Sequence, residues 1–149
     1  MWATIRTVKT LLAVGLSIDE RGALRDLLPA RRWAVRAAGG WTRVFERLRE
    51  CPYDAVLCES SLADGDWKDV LAELLLCSSP PPLIVTSRLA DAYLWTEVLD
   101  AGGFDVVPSP WEERELIRVL ERAAADTSAD ESWQPPALIP AGSFYDGDA

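Results

Sequence analysis

Five short apolar runs alternate with segments of helical periodicity, and this alternation is the feature that most constrains the fold. Between the runs, apolar residues recur at i, i+3, i+4 and i+7, the spacing of one buried helix face. Strands that alternate with helices predict a parallel sheet with helices on both sides. The predicted strands are residues 10–14, 33–37, 55–58, 83–86 and 104–107.

The composition of the strands indicates their order. The first, third and fourth are continuous apolar runs, typical of strands covered on both faces, whereas the second places Arg36 among apolar residues, as at a sheet edge. We therefore predict a three-layer α/β sandwich with strand order 2-1-3-4-5. Ligands of such sheets bind beyond the carboxyl ends of the strands, here between the first and third.

Each predicted helix has an apolar stripe. The fourth and fifth helices are predicted over residues 90–101 and 112–124. The stripes comprise Ala23, Leu24, Leu27 and Leu28; Trp41, Val44, Phe45 and Leu48; Trp67, Val70, Leu71, Leu74 and Leu75; Leu94 and Val98; and Leu116, Ile117 and Leu120.

Composition divides the chain in two. Residues 1–125 are predicted to form one domain, and residues 126–149 an acidic tail with three prolines, two glycines, five acids and no base. Such a composition favours extended or disordered chain. The apolar islands at Trp133, Leu138 and Phe144 leave open whether the tail docks on its own domain, stays free, or binds another protein.

Charge and residue usage exclude several classes of function. The net charge of −9 disfavours nucleic acid as a partner, because such binding depends on cationic neutralisation of phosphates. The sequence has no histidine, and its three cysteines, Cys51, Cys58 and Cys77, lack C-x-x-C spacing, which argues against zinc sites, disulfide frameworks and histidine-based triads. No apolar run approaches the roughly 20 residues that span a bilayer. We expect a cytoplasmic protein without membrane association.

Four local sequences resemble the receiver domain of bacterial response regulators. They are "YDAVLCE" at the third strand, Gly65 in the following loop, "LIVTS" at the fourth strand, and "VLDAGGFDVVPSP" around the fifth. The resemblance covers about residues 8–124 and implies the CheY-like, flavodoxin-like (βα)5 fold.

The resemblance also assigns positions to a phosphoacceptor pocket. Receivers accept a phosphoryl group on an aspartate after the third strand, bind Mg²⁺ through acids after the first, and contact the phosphoryl group through a hydroxyl and a lysine. The matching positions are Glu59 for the acceptor, Gly15 and Leu16 for the acidic pair, Thr86 for the hydroxyl, and Ser109 before Pro110 for the lysine.

Only Thr86 keeps the expected chemistry, so the sequence predicts a degenerate pocket without metal or cofactor. Phosphoryl transfer requires cations that neutralise charge on the transferring oxygens. Asp19 and Glu20 lie near the lost metal ligands, but they are expected in the first turn of the first helix. Glu59 is either a mimic of the phosphorylated state or a solvated strand-end residue. Gly15, Leu16, Glu59 and Ser109 would all have to change to restore the pocket.

The switch also differs from the family pattern. The aromatic position that relays the signal on the fifth strand is Val106, whose β-branched side chain is short and stiff. The Ser109–Pro110 bond is predicted to be cis, as the matching bond usually is in receivers.

These features predict a non-enzymatic, phosphorylation-independent module that binds a protein partner or a second copy of itself. The expected contact face is formed by the fourth helix, fifth strand and fifth helix, with Tyr93, Trp95 and Trp111. One alternative is an unconventional phosphoacceptor that uses Glu59, Asp64 or Asp66. Another is a flavodoxin-like protein or enzyme that binds a small molecule, although "VGLSIDERG" matches no nucleotide-binding loop.

Overall fold

A computed structural model describes residues 8–126 and Pro135. Within these residues, five helices and seven strands follow one another along the chain. They are β1 (Lys9–Val14), α1 (Ile18–Leu27), β2 (Trp33–Ala38), a 3-10 turn (Trp41–Arg43), α2 (Val44–Leu48), β3 (Ala55–Glu59), β4 (Ser61–Leu62), β5 (Gly65–Asp66), α3 (Trp67–Leu74), β6 (Leu83–Ser87), α4 (Ala92–Ala101), β7 (Asp105–Pro108) and α5 (Glu113–Ala125).

The main sheet has five parallel strands in the order β2-β1-β3-β6-β7. Because β6 and β7 are the fourth and fifth predicted strands, the predicted order 2-1-3-4-5 is confirmed. Two strands were not predicted. They are β4 and β5, a two-residue antiparallel hairpin in the connection from β3 to α3.

The sheet separates two hydrophobic cores, which confirms the three-layer arrangement. One core contains Leu24 from α1 and Leu116 from α5, and the other contains Val44, Val70 and Val98 from α2, α3 and α4. Side chains of β1 alternate between the two: Leu11 and Ala13 face the first core, and Leu12 and Val14 face the second. This alternation is the period of two that a strand buried on both faces requires.

Local capping explains where the helices begin. Ser17 Oγ accepts a hydrogen bond from Glu20 N at 3.1 Å, and Ser17 N donates to Glu20 Oε1 at 2.9 Å, forming a capping box at the start of α1. Asp66 starts α3 in the same way, with a hydrogen bond from Lys68 N at 2.9 Å. Glu113 and Glu115 occupy the first turn of α5, where the helix dipole favours acids.

The predicted apolar stripes differ from the structure in two places. Ala23 is exposed on α1, and Leu75, which lies just beyond α3, is 63% exposed. The second helix is also shorter than its stripe suggests, since it starts as one 3-10 turn.

Strand β2 forms an edge of the main sheet, as its composition predicted. Arginine side chains approach two of its carbonyl groups. Arg47 Nε donates to Ala37 O at 2.9 Å, and Arg25 Nη2 lies 3.5 Å from Val35 O. Since Ala38 O bonds Gly15 on the β1 side, the carbonyls of Val35 and Ala37 point toward the open edge.

The tail lies almost entirely outside the described residues, so the predicted division at residue 125 and the docking of the tail stay predictions. Asp126 and Pro135, its two described residues, are both exposed. Within residues 8–126, no helix has the length and apolar character that crossing a membrane requires.

Candidate functional site

The carboxyl edge of the sheet brings the predicted pocket residues together. Gly15 follows β1, Glu59 ends β3, Thr86 lies in β6 and Ser109 follows β7. Glu59 is in register with Thr86, and a Cβ atom added to Gly15 would lie 3.6 Å from Glu59 Cβ. The parallel sheet therefore places these positions at a single edge, as the strand order predicted.

Leu62 fills the space beside Gly15. Gly15 has a φ of +77°, a left-handed conformation that side chains rarely adopt. A Cβ atom added there would overlap Leu62 Cδ2. The β4–β5 hairpin thus places an apolar side chain where an acidic side chain at position 15 would begin. Leu16, the second position of the acidic pair, is 8% exposed and packs in the core beneath α1 and α5.

Glu59 is half-buried and bonds to its own neighbour. Its Oε2 accepts hydrogen bonds from Ser60 N at 3.2 Å and from Ser60 Oγ at 3.4 Å. Burial raises the pKa of Glu59, and the negative charge of Glu20 adds to the increase, while Ser60 and Arg88 oppose it. The carboxylate is therefore held within the loop that follows β3.

Thr86 is fully buried, and its hydroxyl has a partner. Trp111 Nε1 donates a hydrogen bond to Thr86 Oγ1 at 2.9 Å. Trp111 was expected on an exposed contact face, but it is half-buried and packs against the core beneath α1 and α5. The ring turns inward because its indole N–H finds an acceptor in Thr86.

Ser109 stands where the resemblance expects a lysine. Its backbone N donates to Ser87 O at 3.1 Å, and its Oγ is buried without a hydrogen-bond partner among the described residues. The Ser109–Pro110 peptide bond is cis, as predicted. Val106, the expected switch position, is half-buried and packs against the core beneath α2, α3 and α4.

The acids near the predicted phosphoacceptor pocket belong to the first turn of α1. Asp19 and Glu20 lie in the first turn of α1, and the side chain of Glu20 completes the capping box with Ser17. Across residues 8–126, no group of three or more acids, cysteines or histidines is arranged to hold a metal ion.

Asp64 and Asp66, weighed as alternative acceptors, serve the local fold. Asp64 accepts hydrogen bonds from Thr42 Oγ1 at 2.9 Å, from Thr42 N at 3.3 Å and from Trp41 N at 3.2 Å. Burial raises the pKa of Asp64, but these bonds outweigh it and lower the pKa overall. Asp66 is the cap of α3. Asp64 thus joins the loop after β4 to the 3-10 turn before α2.

A separate apolar surface lies on and before α4. Leu89 is 81% exposed, Tyr93 77% and Trp95 49%. Trp95 Nε1 donates to Asp105 Oδ1 on β7 at 3.3 Å. We call Leu89, Tyr93 and Trp95 the α4 surface.

Neither Leu62 beside Gly15 nor the bond between Trp111 and Thr86 was predicted from the sequence. Leu62 lies in the two-residue strand β4, which is too short to show a period. For Trp111, the one available signal was its place directly after the Ser109–Pro110 bond, at the edge of the sheet near which Thr86 lies.

Curated proteins similar to this chain include transcriptional regulators. The transcriptional regulatory protein ZraR of Klebsiella oxytoca is 27% identical over 134 residues, which cover 90% of this chain and 30% of that protein. ZraR of Escherichia coli K12 is 26% identical over 125 residues, covering 84% of this chain and 28% of that protein. The chain thus spans less than a third of these relatives. No protein-family model matches it.

Solved structures with the same fold include receiver domains. The receiver domain of the sensor histidine kinase PA1611 from Pseudomonas aeruginosa, whose cleft holds a magnesium ion, has a TM-score of 0.68 at 20% identity, covering 79% of this chain and 98% of that one. The chemotaxis regulator CheY4 of Vibrio cholerae has a TM-score of 0.68 at 16% identity, covering 78% and 99%. The fold is the flavodoxin-like fold of CheY-type receivers.

Proposed function

We propose that this receiver-type domain signals by binding another protein, or a second copy of itself, without phosphoryl transfer. The observation that carries the proposal is the position of Leu62, which fills the space beside Gly15 where receivers hold an acidic metal ligand. A magnesium ion there would find Glu59 and few other oxygen ligands, whereas Mg²⁺ requires near-octahedral oxygen coordination.

The positive charge that receivers supply through a lysine is also missing. Ser109 carries no charge, and the hydroxyl of Thr86 accepts the indole N–H of Trp111. Phosphoryl transfer depends on positioned cations around the transferring oxygens. Arg88 is near enough to lower the pKa of Glu59, but burial outweighs it. We infer that Glu59 is a strand-end residue bound to Ser60 rather than a functional acceptor.

The α4 surface is the proposed contact region. Aromatic residues concentrate binding energy in protein interfaces, and Tyr93 and Trp95 are both exposed. The hydrogen bond to Asp105 restrains Trp95, which reduces the entropy that its ordering would cost on binding. Lys68 and Glu97 form an ion pair of 2.9 Å near this region and supply a polar border. The proposed partner is a protein, because the net charge of −9 disfavours nucleic acid.

Incubation with acetyl phosphate and Mg²⁺, followed by intact mass spectrometry, tests the loss of phosphoryl transfer. We expect no added phosphoryl mass, and Glu59→Asp should not change this result. Phosphorylation that Glu59→Ala removes would establish the unconventional phosphoacceptor instead. Modification at Asp64 or Asp66, located by peptide mapping, would contradict the proposal in the same way.

Magnesium binding provides a second test. A ligand that does not bind the native state cannot stabilise it, so we expect no rise in melting temperature at about 10 mM Mg²⁺. Calcium at the same ionic strength controls for nonspecific salt effects. Thermal stabilisation by Mg²⁺ that Glu59→Ala abolishes would show that Glu59 is a working ligand.

Sedimentation velocity over a range of concentrations tests the α4 surface. Tyr93→Ala and Trp95→Ala should weaken self-association, or binding to a partner identified by crosslinking through this surface. Ile18→Ala is a matched control, because Ile18 is 76% exposed on α1 and lies outside the α4 surface. A strictly monomeric protein that binds no partner, or association indifferent to both substitutions, would contradict the proposed contact region.

A further inference from the structure

A cavity of about 480 Å³ lies between α1 and the loop from β7 to α5. Its volume falls within the range of about 300–1,000 Å³ that is typical of small-molecule sites. It shares Ser109 and Pro110 with the degenerate pocket, but α1 forms one of its walls. None of the functions considered above uses that wall.

The walls of the cavity are partly apolar. Ala23 and Leu27 line it from α1, and Pro110 and Trp111 line it from the opposite side. The hydrogen bond from Trp111 to Thr86 fixes the indole ring, so this aromatic wall exists before any ligand arrives. Exposure of Ala23, which the helical stripe did not predict, is explained by its place in this wall.

Acidic residues outnumber basic residues around the cavity. Asp19, Glu20 and Asp26 line it from α1, and Arg88 lines it from the loop after β6. Glu20 is engaged in the capping box, whereas no hydrogen bond or ion pair involves Asp19 or Asp26 among the described residues. The charge of Arg88 acts on Glu59, whose pKa it lowers. Two free carboxylates therefore face the cavity from one helix.

We propose that this cavity binds an alkylguanidinium group, the chemical group of an arginine side chain. A planar guanidinium stacks on aromatic rings and forms paired hydrogen bonds with carboxylates, which an ammonium group cannot do in the same geometry. Trp111 would provide the ring, Asp19 and Asp26 the carboxylates, and Ala23 and Leu27 the contact for the apolar stem.

The group has two possible sources, a free small molecule or an arginine of another polypeptide. Both present the same chemistry to the cavity. The inference does not depend on the proposed function, because neither the α4 surface nor the loss of phosphoryl transfer enters it.

Nuclear magnetic resonance of the full chain labelled with ¹⁵N tests the inference directly. The indole N–H resonance of Trp111 is assigned by its disappearance in Trp111→Phe. We expect saturable shifts of this resonance with ethylguanidinium, arginine and N-acetylarginine methylamide at constant ionic strength. Citrulline, which replaces the guanidinium by a neutral urea group, should give no saturable shift, and butylammonium should bind more weakly.

The same titrations distinguish the two sources. Tighter binding of N-acetylarginine methylamide than of free arginine indicates a peptide-linked arginine, and the reverse order indicates a free small molecule. Either order supports the cavity as an alkylguanidinium site.

Carboxylate variants provide the decisive comparison. Asp26→Asn and Asp19→Asn should each weaken binding of ethylguanidinium by about tenfold, the usual effect of losing one charge-assisted hydrogen bond. Asp100→Asn is the matched control, because Asp100 lies on α4 and does not line the cavity. Absence of saturable binding, an equal response to citrulline, or an equal effect of all three substitutions would overturn the inference.

Discussion

The two sides of the carboxyl edge are filled in different ways. Beside β1 and β3, the apolar side chain of Leu62 fills the space next to Gly15. Beside β6 and β7, a hydrogen bond from Trp111 engages the hydroxyl of Thr86. The side beside β1 and β3 is blocked sterically by an apolar side chain, whereas the side beside β6 and β7 is occupied by a hydrogen bond.

This difference shows that reopening the two sides requires different changes. Substitutions at Gly15, Leu16, Glu59 and Ser109 would restore the expected residue types, yet Leu62 and Trp111 would still occupy the pocket. We therefore expect the four substitutions, which the sequence indicates as necessary, to be insufficient. The contacts that fill a site must be removed before its chemistry can be restored.

The largest expected effect is that of Gly15→Asp, which introduces a side chain against Leu62. The left-handed backbone and the overlap should together lower the free energy of unfolding by about 2–4 kcal/mol. Gly22→Asp is the control, because no atom lies within 4 Å of a Cβ added to Gly22 and this position has ordinary backbone geometry. Urea denaturation measures both.

Combining Gly15→Asp with Leu62→Ala separates the two causes. The double variant should recover the part of the loss that comes from overlap and retain about 1–2 kcal/mol from the backbone conformation. If Gly15→Asp is as stable as Gly22→Asp, Leu62 does not block this side, and the comparison between the two sides fails.

A smaller effect is expected on the other side, from Thr86→Val. This change keeps the volume of the fully buried side chain and removes the acceptor of the Trp111 indole. The unpaired donor should cost about 1–2 kcal/mol in the free energy of unfolding. Trp111→Phe removes the donor of the same hydrogen bond. A double-mutant cycle of Thr86→Val and Trp111→Phe therefore isolates this bond, with an expected coupling of about 0.5–1.5 kcal/mol. Additive losses would show that Trp111 stabilises the protein through packing alone.

The smallest expected effect is that of Glu59→Gln. Because the folded state raises the pKa of Glu59, its charged form destabilises the fold, and this loss is present above the raised pKa. Removing the charge should stabilise the protein at neutral pH by less than about 1 kcal/mol, since the side chain is partly solvated. The gain should vanish as the pH falls below the ordinary value of 4.5. Thermal unfolding across this pH range measures it.

Glu73→Gln provides a reference for the effect of Glu59→Gln on stability. Glu73 is 3% exposed, its Oε1 has no hydrogen-bond partner among the described residues, and burial alone raises its pKa. We therefore expect Glu73→Gln to stabilise the protein at neutral pH as well, and by more than Glu59→Gln does. A loss of stability in Glu59→Gln at neutral pH would show that the charge of Glu59 is stabilised in the fold.

The fold could be predicted from sequence because its signals are local. The buried strands β1, β3 and β6 are continuous apolar runs, and arginine in β2 identified the edge. The hairpin of β4 and β5 could not be predicted, since strands of two residues are too short to show a period. Its position depends on contacts between distant residues, such as those of Asp64 with Trp41 and Thr42.

The candidate site was only partly predictable for the same reason. Strand ends located Gly15, Glu59 and Thr86, because parallel strands bring their carboxyl ends to one edge. Leu62 reaches Gly15 across 47 positions of sequence, and Trp111 reaches Thr86 across 25. No period or motif encodes such contacts. They depend on which side chains the loops bring to the edge after the sheet has formed.

The arginines near β2 have a consequence for the behaviour of this protein at high concentration. An exposed strand edge is a template on which strands of other molecules can add and grow into aggregates. A strand that approached β2 would have to displace Arg47 from the carbonyl of Ala37 and push Arg25 away from that of Val35. It would also bring its own backbone beside two positive charges. Arg25 and Arg47 thus oppose the addition of strands at this edge, and with it the growth of fibrils.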